Sequence, residues 1–174
     1  MASTLLPPTP KREEKRVHTE ERVGGLLIQR DIGQPERFLL VQERTAPHYL
    51  KWNLPISRIR GNENIINGAE RTVREETGKN VRAINLLHVG SRSGRITNNY
   101  TSFVFEMKIL PSEVECVANP HEIMGQEWFT EAEIRQLAET CKLQNSDLIL
   151  STLDNYLSRR TVSVSFLCIY PNKP

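Results

Sequence analysis

The chain has 174 residues, 38% of them hydrophobic and 25% charged, with a formal net charge of +2. That length suits one well-buried domain and is short for two. So small a net charge gives no electrostatic case for nucleic acid or membrane partners. Cys116, Cys141 and Cys168 are an odd number without CxxC spacing. They point to reduced thiols in the cytoplasm, or also the nucleus, and away from a structural zinc site. No apolar run reaches the roughly 20 residues that span a bilayer. The opening MASTLLPPTPKREEKR lacks a basic leader followed by a long apolar region, so it does not read as a secretory signal.

Residues 1–20 hold almost nothing to bury and read as a flexible tail of mixed charge, with the folded domain expected over 21–174. RVGGLLIQ (22–29) and RFLLVQER (37–44) are expected strands around the polar turn DIGQPE. TAPHYLK (45–51) is a loop with an aromatic tip, and WNLPISRIRGNENIINGAERTVREETGK follows from Trp52 to Lys79. NVRAINLLHVGSRS (80–93) reads as a strand, and NNYTSFVFEMKIL (98–110) as another with clear alternation. A loop with Pro111 and Pro120 leads to EWF (127–129). TEAEIRQL (130–137) opens on Thr130 with Glu133 three residues on, a capping box before a short helix. SDLILSTLDNYLSRR (146–160) is the last expected helix, with Ser146 as its candidate cap. This order predicts a mixed α/β domain.

The helix expected over 64–77 carries the chemistry. At about 100° per residue, Ile65, Ile66, Ala69 and Val73 share one arc that should meet a sheet. Glu70 and Arg74 lie opposite, towards water. A third edge holds Gly68, Arg71, Thr72, Glu75 and Glu76, with Glu76 bordering the apolar arc. Arg71 and Glu75 are spaced to pair, and Gly78 suits a left-handed C-cap. Glu75 and Glu76 sit at the negative end of the helix dipole, where carboxylates are disfavoured by a few tenths of a kcal/mol or more. A hard Mg²⁺ ion would reverse that sign. The acids therefore admit two readings, metal ligands or the wet surface of an amphipathic helix.

Glu63, seven residues, Arg71, three residues and then EETG (75–78) resemble the Nudix box, G-x5-E-x7-R-E-U-x-E-E-x-G-U, with U a bulky apolar residue. WNLP (52–55) is similar to the W-x-L-P that precedes the box in that family, and Trp128 with the acidic helix after it also fits. The resemblance covers roughly residues 22–160. It implies the Nudix fold, a mixed sheet sandwiched between helices. It also implies a Mg²⁺- or Mn²⁺-dependent hydrolase of nucleoside diphosphate-linked compounds, acting by water attack at phosphorus. Carried over by position, Glu75 and Glu76 would be the paired metal-site acids, and Arg71 and Glu63 the orienting salt bridge. Glu122 is the candidate extra carboxylate. Three positions depart from the box: Thr72 stands for its first glutamate, Ser57 for its opening glycine, and Lys79 for its last apolar residue. Losing an ionised ligand is worth on the order of 10²–10⁴ in rate.

Within the family, WNLPISR (52–58) is similar to the lead-in of hydrolases that sanitise oxidised purine nucleotides, including a branch that acts on 8-oxo-dGDP. On that likeness Asn53 and Asp147 would contact the base, as their side chains suit a purine edge. Phe103 or Phe105 could stack on it or belong to the core, and Asp147 reads equally well as an acid favoured by its helix dipole. His48 and His121 read as solvated loop residues. The Ser, Thr and Cys residues show no arrangement for covalent catalysis. The expected partner is a small nucleotide, and the chain is a monomer or homodimer. The alternative is a Nudix-fold module that binds a nucleotide or a protein without catalysis.

Overall fold

The computed structural model describes residues 19–93, 99–111 and 118–168. Cys116 and nearly all of the expected N-terminal tail lie outside these residues. Among them the strands are β1 (Thr19–Gln29), β2 (Arg37–Glu43), β3 (Trp52–Asn53), β4 (Ile56–Arg58), β5 (Val81–Arg92), β6 (Asn99–Ile109), β7 (Ile123–Thr130) and β8 (Val162–Ser163). The helices are α1 (Ile65–Thr77), α2 (Glu131–Glu139) and α3 (Ser146–Leu157), and a 3-10 turn covers Val164–Phe166. No helix among the described residues is long and apolar enough to cross a membrane.

The strands form one mixed sheet in the order β3-β2-β1-β6-β5-β8, with β4 on β1 and β7 on β2. β1 is the hub: it runs parallel to β6 from Thr19 to Leu27 and antiparallel to β4 and, at its end, to β2. Alternation along these strands sends side chains to opposite faces. Val23, Leu27, Leu39, Phe105 and Met107 pack with Ala69 and Val73 of α1. Leu26, Phe38, Leu40 and Val104 pack instead with Ile134 of α2 and Ile149 and Leu153 of α3. This is the expected sheet sandwiched between helices, the Nudix fold. Phe105 is wholly buried in the first layer and Phe103 packs against it, so both serve the core.

The local signals of α1 hold. Asn64 caps it, its side chain accepting from the Ile66 and Asn67 amides, and Gly78 ends it at φ 71° with its N–H on the Arg74 carbonyl. At that φ a Cβ would crowd the following carbonyl, so glycine is the fitting residue. Thr130 and Glu133 form the capping box of α2.

Several expectations are corrected. β7 is a full strand where only a loop and EWF were read. Only Ile123 of its eight residues is buried, the apolar alternation that marks a strand is lacking, and pairing with β2 holds them. The first strand begins at Thr19, because the parallel β6 supplies partners for polar residues. α3 ends at Leu157, and its cap residue is Asn145, with no side-chain cap bond, while Ser146 is already helical. Asn145 is turned instead towards Asn53. Glu70 does not simply face water; its Oε1 accepts the Ala83 amide at 2.9 Å, at the start of β5.

Candidate metal site and substrate cleft

The polar edge of α1 meets the free edge of β4. Among the described residues β4 pairs with β1 alone, and Gly24 permits their approach: a Cβ there would lie 2.3 Å from the Pro55 carbonyl oxygen. Arg71, on this edge, donates Nε to Glu63 Oε1 at 2.6 Å and Nη2 to Glu63 Oε2 at 2.9 Å. Its remaining contacts run from Nη1 to Glu75 Oε2 at 2.9 Å and from Nη2 to the Arg58 carbonyl at 3.1 Å. Arg60 grips Glu75 as well, at 2.9 and 3.0 Å. These bonds hold the Glu63 carboxyl below its usual range, first through Arg71, and raise Arg71 in return. The predicted Glu63–Arg71 and Arg71–Glu75 pairs therefore form one network, and two arginines occupy both Glu75 oxygens.

Glu76 has the opposite surroundings. It is only 7% exposed, and burial pushes its carboxyl well above the ordinary range. Glu43 and Glu122 push it further, Glu75 adds a smaller push, and only a hydrogen bond from the Ile56 N–H favours the charged form. The charges that act on it most strongly are other carboxylates. Glu43, at the end of β2, is raised by its own burial, opposed by the Asn53 amide.

The loop before β7 brings in Glu122. The Asn119 N–H donates to the Glu75 carbonyl at 2.8 Å, filling one of the last free acceptors of α1. The Arg44 N–H then donates to the Glu122 carbonyl at 2.8 Å, tying the loop to the end of β2. Glu76, Glu43 and Glu122 thus share one corner. Glu43 was missed in the sequence because it lies in a plain strand outside the box spacing. Its one signal was its place as the last residue of an apolar strand, beside the loop that carries the aromatic tip.

A divalent cation suits this donor set. A buried carboxylate among like charges is stabilised by an ion that its neighbours can share. No three described His, Cys, Asp or Glu side chains converge as a ready-made cage. Mg²⁺ keeps waters and takes one or two carboxylates plus substrate phosphates. Thr72, wholly buried one turn before Glu76, adds no charge; its hydroxyl meets Ser57 Oγ at 2.6 Å.

A cavity of about 550 Å³ lies between β5, β6 and the start of α3. Asp147 lines it, with His88, Tyr100, Gln144, Asn145 and Ser151. Asn53 does not line it. Only 1% exposed, it stands behind, donating to Gln144 Oε1 at 3.1 Å and Glu43 Oε1 at 3.4 Å. Asn53 therefore connects the cavity wall to the acidic corner. His88 is half-buried, which lowers its pKa, and its Nδ1 lies 3.0 Å from Ser151 Oγ. His48 is half-buried near Glu43, and His121 is exposed. Cys141 and Cys168 are exposed free thiols.

A model of the NUDIX domain matches residues 18–149, well over half of the chain. The chain belongs to the NUDIX family, whose members are generally metal-dependent pyrophosphohydrolases of small nucleotide substrates. Among solved structures it is similar to a NUDIX hydrolase from Nitrosomonas europaea, with 21% identity over 90% of this chain and 100% of that one, at a TM-score of 0.74. It is similar also to the NUDIX domain of Shewanella oneidensis NrtR complexed with ADP ribose (19% identity, 82% and 89% covered, TM-score 0.64). A UDP-X diphosphatase matches with 22% identity over 86% of this chain and 68% of that chain, at a TM-score of 0.63. At these identities the likenesses establish the fold. No curated protein matches.

Proposed function

We propose that this chain is a metal-dependent hydrolase of a nucleoside diphosphate-linked compound, acting by attack of water at phosphorus. The observation that supports it is Glu76, a buried carboxylate on which the strongest charges acting are those of Glu43, Glu122 and Glu75. Glu76 would hold Mg²⁺ or Mn²⁺, with Glu43 beside it. The bound ion would polarise the phosphates and lower the pKa of water. Glu75, clasped by Arg60 and Arg71, would shape the rim of the site, with Glu63 and Arg71 orienting α1. Glu122, exposed at the mouth, would take the proton that the attacking water releases as the bridging P–O bond breaks. The two phosphate-bearing products then leave.

The remainder of the substrate would occupy the cavity. Gln144, Asn145 and Asp147 offer donors and acceptors suited to a base edge, and an oxidised guanine nucleotide such as 8-oxo-dGDP is the specific substrate we put forward. The cavity wall is mostly polar, with Tyr100 as its one aromatic residue among the described residues. A nucleoside diphosphate joined to a sugar therefore belongs in the same trial. A cytoplasmic location follows the reading of the thiols as reduced.

The test incubates purified protein and Glu76→Gln with Mg²⁺ or Mn²⁺ and a panel of plain and 8-oxo guanine di- and triphosphates and nucleoside diphosphate sugars. Metal-dependent turnover, at least about 10²-fold lower in Glu76→Gln, is expected. Metal binding without turnover of any compound would instead favour a module that binds without catalysis.

A further inference from the structure

The contact between β4 and α1 is unusually complete. In the antiparallel ladder, the Gly25 N–H donates to the Pro55 carbonyl at 3.1 Å and the Ile59 N–H to the Glu21 carbonyl at 3.0 Å. Hydrogen-bonded pairs alternate with unbonded ones, so Ile56 and Arg58 turn their backbone groups away from β1. Side chains of α1 take them up. The Ile56 N–H, turned away from β1, favours the charged form of Glu76, and Arg71 Nη2 donates to the Arg58 carbonyl at 3.1 Å. Ser57, between them, meets Thr72 hydroxyl to hydroxyl at 2.6 Å. Three successive strand residues thus engage one helix edge.

Thr72 is 0% exposed, while Ser57 is half-buried and keeps a second, longer contact with the Arg58 carbonyl at 3.5 Å. Without Ser57 the Thr72 hydroxyl would be buried without a bond. The pair lies between the Arg71 network and the Ile56 N–H that favours a charged Glu76.

We infer that Ser57 and Thr72 are a positioning pair: their mutual hydrogen bond holds β4 against α1 and so keeps the Ile56 N–H on the Glu76 carboxylate. Neither side chain need touch substrate. The pair orients the group that does, and its functional consequence rests on reading Glu76 as a metal ligand.

The test uses the full chain and the variants Ser57→Ala, Thr72→Val, the two combined, and Thr72→Ser, which keeps the hydroxyl. Amide exchange at Ile56, read by NMR without metal, should speed up about tenfold in each single variant. The combined variant should add no more, Leu27 in the core of β1 should not change, and Thr72→Ser should retain the slow rate. Mn²⁺ affinity should fall in the same variants by about tenfold, as for groups that orient a ligand. A lower melting temperature with Ile56 exchange at its original rate would assign the pair to packing alone and overturn the inference. So would independent, additive effects of the two substitutions. Failure of the unmodified protein to bind Mn²⁺ would sink the hydrolase reading, while the Ile56 exchange rate still decides the pair.

Discussion

Two glutamates of this protein are equally buried, at 7% exposure each, and live in opposite surroundings. Glu106 on β6 receives the Asn85 amide at 2.7 Å and the Arg30 guanidinium at 3.3 Å. Arg30 in turn binds Glu36 at 2.8 Å and the Tyr156 hydroxyl at 2.7 Å. This acid is enclosed by the fold's own donors. Glu76 has one backbone donor and three carboxylate neighbours. The first arrangement completes itself; the second leaves a negative corner that an added cation would stabilise. Adjacent positions show the same contrast, since among the described residues Glu75 is held by two arginines and Glu76 by none. Burial alone thus does not mark a functional acid, and the sign of what surrounds it does.

The contrast can be broken most severely at Thr72. Thr72→Glu adds a further carboxylate to a fully buried place beside Glu76 and against Ser57. We expect a loss of about 3 kcal/mol in denaturant unfolding of the metal-free protein, partly regained in Ser57→Gly/Thr72→Glu or by added Mn²⁺. Arg71→Ala strips Glu63 and half of the clasp on Glu75. It should cost about 2 kcal/mol, less than a deeply buried pair because Glu63 and Glu75 reach solvent.

Two matched substitutions sharpen the comparison directly. Glu106→Gln loses a charged bond to Arg30 and should destabilise by about 1 kcal/mol at neutral pH. Glu76→Gln should do the reverse, stabilising the metal-free protein by on the order of 1 kcal/mol at pH 8. The sign follows from the raised carboxyl. Folded Glu76 binds its proton more tightly than the unfolded chain does, so stability is greater on the acid side and falls as pH rises above about 4.5. Glu76→Gln removes that slope, and the two melting curves should converge near pH 5. Smallest is Glu75→Gln, expected within about 0.5 kcal/mol, because Arg71 keeps Glu63; equal losses from Glu75→Gln and Glu76→Gln would erase the distinction.

Much of this was legible in the sequence where local chemistry decides. The apolar arc of α1, its Gly78 cap, the Thr130–Glu133 box and the spacing of Glu63, Arg71, Glu75 and Glu76 are all short-range signals, and the fold was implied by the family resemblance that this spacing carries. β7 was hidden because its residues alternate weakly and only pairing with β2 defines it. Glu43 was hidden for a related reason: the end of β2 meets the Glu122 loop only after the chain has turned back. Asn145 was read past because its side chain turns to Asn53, far off in the chain, rather than to the amides of its own helix. The coupling of Ser57 to Thr72 also needed three dimensions, since fifteen residues separate two departures that meet in space.

The most direct trial of the account is a Mn²⁺ titration of metal-free protein at pH 7.5, comparing the unmodified chain with Glu76→Gln, Glu75→Gln and Glu106→Gln. The account predicts saturable binding that Glu76→Gln abolishes, Glu75→Gln weakens less and Glu106→Gln leaves intact. Binding that survives Glu76→Gln, or its absence from the unmodified protein, would contradict the claim that this buried acid faces a cation.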